Sequence, residues 1–196
     1  VCADSVVWDI GSNIGVFALA SASIATNGCT LSVEADIWLA HLIRRSLCLS
    51  QNRALRVAVV PAAVADFNGV ATFHIANRGR ASNCLEAAGG RTQSGGVREK
   101  TMVPTITLDT LAQHFRPPTV LKIDVEGAES MVLAGGANLL ATYRPTIYIE
   151  VGRQTNADVT ALLTANGYSL FDGSLPLHGQ DRLRCCAFNT LAIAKR

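Results

Sequence analysis

Two hydrophobic rhythms alternate along the chain. Short β-branched runs, Val6 to Ile10, Thr30 to Val33, Leu55 to Val60, Val120 to Ile123 and Thr146 to Ile149, are apolar at most positions, as strands buried on both faces are. Between them the apolar positions recur at helical spacing. From Asp36 to Ser50, Leu39, Leu42, Ile43 and Leu47 share one face while Arg44 and Arg45 point away, and Asp36 stands where an N-cap belongs. Val159, Leu162 and Leu163 repeat that spacing later, with Gly167 at the stop position. Alternation of this kind predicts an α/β fold, a mostly parallel sheet with helices on both faces.

Two stretches depart from the alternation. Asp66-Phe67-Asn68-Gly69 is a turn signal, and Val70 to Ile75 after it predicts a hairpin on the edge of the sheet. Asn77 to Lys100 is rich in Gly, Ser, Asn and Arg with little periodicity, which predicts a long functional or mobile loop. Phe188 to Ala194 predicts a final strand, antiparallel to the rest.

Composition narrows the function classes. The 196 residues are 49% hydrophobic and 16% charged, which excludes intrinsic disorder and predicts one domain over residues 1–196. The chain opens directly on its first core strand, as expected where N-terminal elements are missing. A net charge of +2 excludes nucleic-acid binding driven by bulk charge. The longest apolar stretch, Val16 to Ala25, is broken by serines and falls short of the ~20 residues of a membrane helix. Six cysteines without a CxxC pair, no Asn-x-Ser/Thr sequon and no basic leader predict a reducing, cytoplasmic setting with buried thiols.

The sharpest chemistry lies in Asp9-Ile10-Gly11-Ser12-Asn13-Ile14-Gly15, a strand end running into a helix. Gly11, Asn13 and Gly15 supply the positive φ and the close backbone approach to a ligand that such a turn needs. The spacing is not that of a dinucleotide fingerprint, because Asn13 and Val16 occupy the positions of its second and third glycines. A nicotinamide-dependent oxidoreductase is therefore disfavoured. Asp9 suits a cofactor with a cationic end, and Glu34, nineteen positions after Gly15, is placed to accept both hydroxyls of a ribose. An adenosine ligand with a cation and no phosphates is S-adenosylmethionine.

Three further segments make the likeness specific: Ile106-Thr-Leu-Asp-Thr-Leu111, the Glu34 position, and Leu121-Lys-Ile-Asp-Val-Glu-Gly-Ala-Glu129. With the glycine turn they resemble the FkbM family of S-adenosylmethionine-dependent methyltransferases, from Val6 to about Val151. The resemblance implies a class I, Rossmann-like methyltransferase fold: seven strands ordered 3-2-1-4-5-7-6 with the last antiparallel. It also implies O-methylation of a small-molecule hydroxyl, usually on a sugar or a polyketide. Asp66 matches the place where such folds contact the adenine amino group.

Methyl transfer to an alcohol requires the acceptor oxygen to be aligned, water excluded and a proton removed. Ligands of open α/β sheets bind beyond the carboxyl ends of the strands. There the sequence places Asp124, the first candidate for proton abstraction or acceptor positioning, with Lys122 on the same strand face. Glu126 follows, and Glu150 ends the next strand. Asp124 and Glu150 lack a third oxygen ligand for a divalent cation, so no metal is assigned. Glu129 is expected to face outward. His41 and His114 are expected at the surface, whereas His74 and His178 are secondary candidates for a base. Residues 78 to 83 are expected to fold over the cofactor, Ser82 and Asn83 offering hydrogen bonds and Arg78, Arg80 and Arg91 steering an anionic acceptor. Loops 77 to 100 and 172 to 186 are expected to choose the acceptor. The alternative function is a catalytically inactive methyltransferase fold that serves as a binding or assembly module.

Overall fold

The computed structural model describes residues 1–79, 82–89 and 95–195. The elements run β1 (Val6–Ile10), α1 (Val16–Ile24), β2 (Cys29–Val33), α2 (Ile37–Leu47), β3 (Val57–Val60), β4 (Ala63–Val64), β5 (Gly69–Ala76), β6 (Cys84–Leu85), β7 (Val97–Ile106), α3 (Leu108–His114), β8 (Val120–Ile123), α4 (Glu129–Ala134), α5 (Ala137–Tyr143), β9 (Thr146–Glu150), α6 (Asn156–Ala165), β10 (Tyr168–Asp172) and β11 (Asn189–Ala194).

Seven of the strands form one sheet in the order β3-β2-β1-β8-β9-β11-β10. All its neighbours are parallel except β11, which inserts antiparallel between β9 and β10. This is the class I methyltransferase topology that the resemblance implies. All five positions of β1 are buried, as a central strand covered on both faces requires. Its Trp8 and Ile10 join Leu121, Ile123, Ile147 and Ile149 from the neighbouring strands in the main core. Asp36 caps α2 as predicted, its carboxylate accepting from the Trp38 amide at 2.9 Å.

The expected edge hairpin is instead part of a second sheet, ordered β4-β7-β5-β6. β3 ends at Val60, and Pro61, which has no N–H to donate, cannot extend its ladder. The chain then pairs β4 with β7, and β7 with β5. The expected loop contains β6, and its last four residues begin the ten-residue strand β7, whose first four positions are exposed. Phe73, Leu85 and Val103 of this second sheet pack with Ala128, just past the end of β8. The small sheet thus walls the carboxyl ends of the large one.

Candidate active site

β1 turns into α1 through Gly11, Asn13 and Gly15, whose φ values are 76°, 53° and 84°. The Gly11 and Ser12 amides both donate to the Val33 carbonyl, at 2.9 and 3.2 Å, and the Asp124 amide donates to the Ile10 carbonyl at 3.0 Å. The turn is thereby held between β2 and β8. A Cβ on Gly11 would collide with the Asp124 carbonyl oxygen. Besides its positive φ, Gly11 makes a close approach to the chain's own backbone at Asp124.

Gly11 and Asn13 also line a cavity of about 250 Å³ together with Glu34, Leu39, Phe73, Asn83 and Asp124. Glu34 directly follows β2, with one oxygen accepting from the Asn13 amide at 2.7 Å and the other from the Asp36 amide at 2.8 Å. Each oxygen keeps a lone pair for a further donor. Burial pushes this carboxyl up to about 7, although the two amides oppose the shift. Asn83 accepts from the Ala76 amide at 2.8 Å and donates to Asp36 at 3.0 Å, so the segment expected to cover the cofactor is tied to the start of α2.

Asp9, Ser12 and Gly15 lie behind this cavity rather than on its surface. Asp9 is fully buried, with Oδ1 3.0 Å from Lys122 Nζ and Oδ2 without a hydrogen-bond partner among the described residues. Lys122 also reaches Asp124, at 3.4 Å. Burial works against its charge, but the carboxylates of Asp9 and Asp124 outweigh it and hold its pKa above the ordinary value. Lys122 is thus a fixed cation that anchors Asp124. The Ser12 hydroxyl donates to the Asp9 carbonyl at 2.8 Å and accepts from Ser32.

The strand ends bring Asp124, Glu126 and Glu150 together, with carboxylate oxygens within 4.8 Å of one another. These are three of the four predicted catalytic residues, and Lys122 backs one of them. Glu126 supplies the third oxygen that the sequence did not place beside Asp124 and Glu150, a set able to meet a hard divalent cation. Burial, then the charges of Asp124, Glu150 and Glu129, push Glu126 up to about 7. Glu150 is also raised, by burial and by Asp124. All three line the first cavity and a second of about 530 Å³, which Ser82, Cys84, Arg153 and Phe188 border.

Other predicted residues lie elsewhere. Asp66 is exposed and borders a separate groove with Ser130, Met131 and Asp158, because the chain has left the strand ends two residues after β4. His74 points to the opposite face of β5 from Phe73, its Nε2 3.1 Å from Glu86. His178, His41 and His114 are exposed, the last two as expected. Arg78 is exposed and borders neither cavity, and Arg80 and Arg91 lie outside the described residues. Glu129 faces inward, at 3% exposure. The chain between β8 and α4 is not helical, so a helical phase counted from Glu126 misplaces it. Among the described residues the six cysteines form no disulfide, and only Cys84 and Cys186 are buried. Among the described residues no helix is long and apolar enough to cross a membrane.

The model of the methyltransferase FkbM domain matches residues 9–170 of the chain. No curated protein sequence matches it. Among solved structures, methyltransferase FkbM from Methylobacillus flagellatus KT superposes with a TM-score of 0.63 at 16% identity, over 96% of this chain and 43% of that one. The present chain thus spans less than half of that protein. Precorrin-6y C5,15-methyltransferase from Geobacter metallireducens GS-15 gives a TM-score of 0.54 at 13% identity, over 98% and 79% of the two chains. Magnesium protoporphyrin IX methyltransferase from Synechocystis PCC 6803, solved with bound SAM, gives 0.53 at 10% identity, over 97% and 70%. At such identities the likeness is one of fold.

Proposed function

The chain belongs to the FkbM methyltransferase family, and from that premise we propose that residues 1–196 form one domain that methylates a hydroxyl of a sugar or polyketide-like small molecule, using S-adenosylmethionine. The observation that carries this reading is the set of three carboxylates shared by two adjoining cavities. One cavity suits the cofactor and the other the acceptor.

The residues present fit the cofactor. Glu34 has lone pairs free for ribose hydroxyls, Leu39, Phe73 and Val64 offer apolar walls for a flat base, and the carboxylates at the far end suit a sulfonium. Bound there, S-adenosylmethionine supplies a methyl group already activated for transfer. Asp124, fixed by Lys122, orients the acceptor hydroxyl. Glu126 takes the proton that this hydroxyl must lose, since a base with a pKa near the working pH is the most effective. Glu150, which lines the same cavity, would add negative charge to help hold the cofactor's cationic end. The small sheet and the Asn83 tether exclude water from one side.

Calorimetric titration with S-adenosylhomocysteine, with NAD as control, is the first test. Micromolar one-to-one binding of the former alone supports the proposal; no binding overturns it. Transfer of a labelled methyl group to hydroxylated sugars or polyketides then separates an enzyme from an inactive binding module.

A further inference from the structure

Glu129 makes two hydrogen bonds that join separate loops. Its Oε1 accepts from the Gly127 amide at 2.7 Å, and its Oε2 accepts from the Thr155 hydroxyl at 2.6 Å. Gly127 follows Glu126 directly, and both take positive φ, 47° at Glu126 and 95° at Gly127. Glu126 is not a glycine, so its left-handed backbone persists only where its surroundings enforce it. On the other side, Thr155 occupies the N-cap of α6, where a threonine hydroxyl ordinarily accepts from a helix amide. Here it makes no such cap. Its hydroxyl donates to Glu129, with the Gly152 carbonyl a longer partner at 3.3 Å. The loop it belongs to begins at Glu150, the end of β9, and β9 pairs with β8.

A carboxylate in the first turn of a helix commonly faces solvent near free amides. That accounts for the Gly127 bond, but neither for the near-complete burial of Glu129 nor for its short bond from the Thr155 hydroxyl in the next loop. We propose that Glu129 is a positioning residue: with Thr155 it ties the loop after β8 to the loop after β9 and so fixes Glu126 in its left-handed conformation beside Glu150. The inference rests on the proposed roles of those two carboxylates, but its test needs no acceptor.

Thr155→Val removes the hydroxyl at nearly constant volume, and Thr155→Ser restores it. Amide hydrogen exchange and the side-chain carboxylate carbon resonance of Glu126 are followed by NMR in the full chain. In Thr155→Val the Gly127 amide exchanges at least tenfold faster and the Glu126 resonance moves, although neither group touches Thr155. The Leu121 and Ile123 amides of β8 stay protected, and Thr155→Ser returns both signals to within twofold of wild-type exchange and to the wild-type position. Unchanged Gly127 exchange, a stationary Glu126 resonance, an increase shared by Leu121 and Ile123, or failure of serine to rescue overturns the proposal. S-adenosylhomocysteine binding measured on the same wild-type sample tests the functional reading separately.

Discussion

The cavity of about 250 Å³ is walled by strand ends, by the backbone of the β1 turn and by Glu34, whose two oxygens are each fixed by an amide. The cavity of about 530 Å³ beside it is walled by the loops after β8 and β9, by Arg153 and by the exposed Phe188. The first is framed by the hydrogen-bonded backbone of the β1 turn together with the apolar side chains of Leu39 and Phe73. The second is framed mainly by side chains, Glu129, Arg153 and Phe188 among them. Such a division suits a constant cofactor and a variable acceptor.

Substitutions can break that division, and the largest effect belongs to the backbone. Gly11→Val forces a β-branched residue to φ 76° and drives its Cβ into the Asp124 carbonyl. It should cost about 4 kcal/mol or more of stability, so that thermal unfolding reports the loss before any binding assay does. Next in size, Glu126→Gln should lower turnover on a working acceptor by about 10²–10⁴-fold, the usual contribution of a general base. S-adenosylhomocysteine affinity should change little; equal losses in both would reassign Glu126 to the cofactor side.

Glu34→Ala should weaken S-adenosylhomocysteine binding by about 1–3 kcal/mol, read as a higher Kd by calorimetry. pH sharpens the same contrast. Glu126 must be ionised to take a proton, so turnover should rise as pH climbs through about 7, and Glu126→Gln should abolish that limb. Glu34, also raised to about 7, keeps a proton in the folded state that the unfolded chain has released above its ordinary 4.5. Its contribution to stability is therefore full below about 4.5 and is lost as pH rises through about 7. The melting temperature should fall over that window, and less steeply in Glu34→Gln. Smallest of all, Asp66→Ala should leave cofactor affinity within twofold, because Asp66 borders a different groove.

What the sequence disclosed follows the same line between backbone and side chain. β1 and β8 were legible to the residue, because each is apolar at every position but one, Asp9 in β1 and Lys122 in β8, and Asp36 was legible as a cap. β7 was not. Its Arg98, Glu99 and Lys100 are exposed and Pro104 interrupts the pattern, so its pairing with β5 leaves little period-two signal. Glu34, Asp124, Glu126 and Glu150 lie on the cavities because strand ends dictate where they emerge. Asp66 and Glu129 were misplaced because their positions depend on where the chain leaves a regular element. Thr155 was missed altogether: a threonine before a helix reads as a cap, and only the fold shows its hydroxyl turned to Glu129.

The pairing of Asp9 with Lys122 has a consequence in time. The two residues lie 113 positions apart, and β1 needs β8 on one side as it needs β2 on the other. At ordinary synthesis speeds a ribosome takes roughly 6–23 s to cross such an interval. Throughout that delay a nascent β1 has no β8 beside it, and the carboxylate of Asp9 has no ammonium to meet. Over that interval the β8 side of β1 stays open, which leaves an apolar strand edge exposed to other chains until Lys122 emerges.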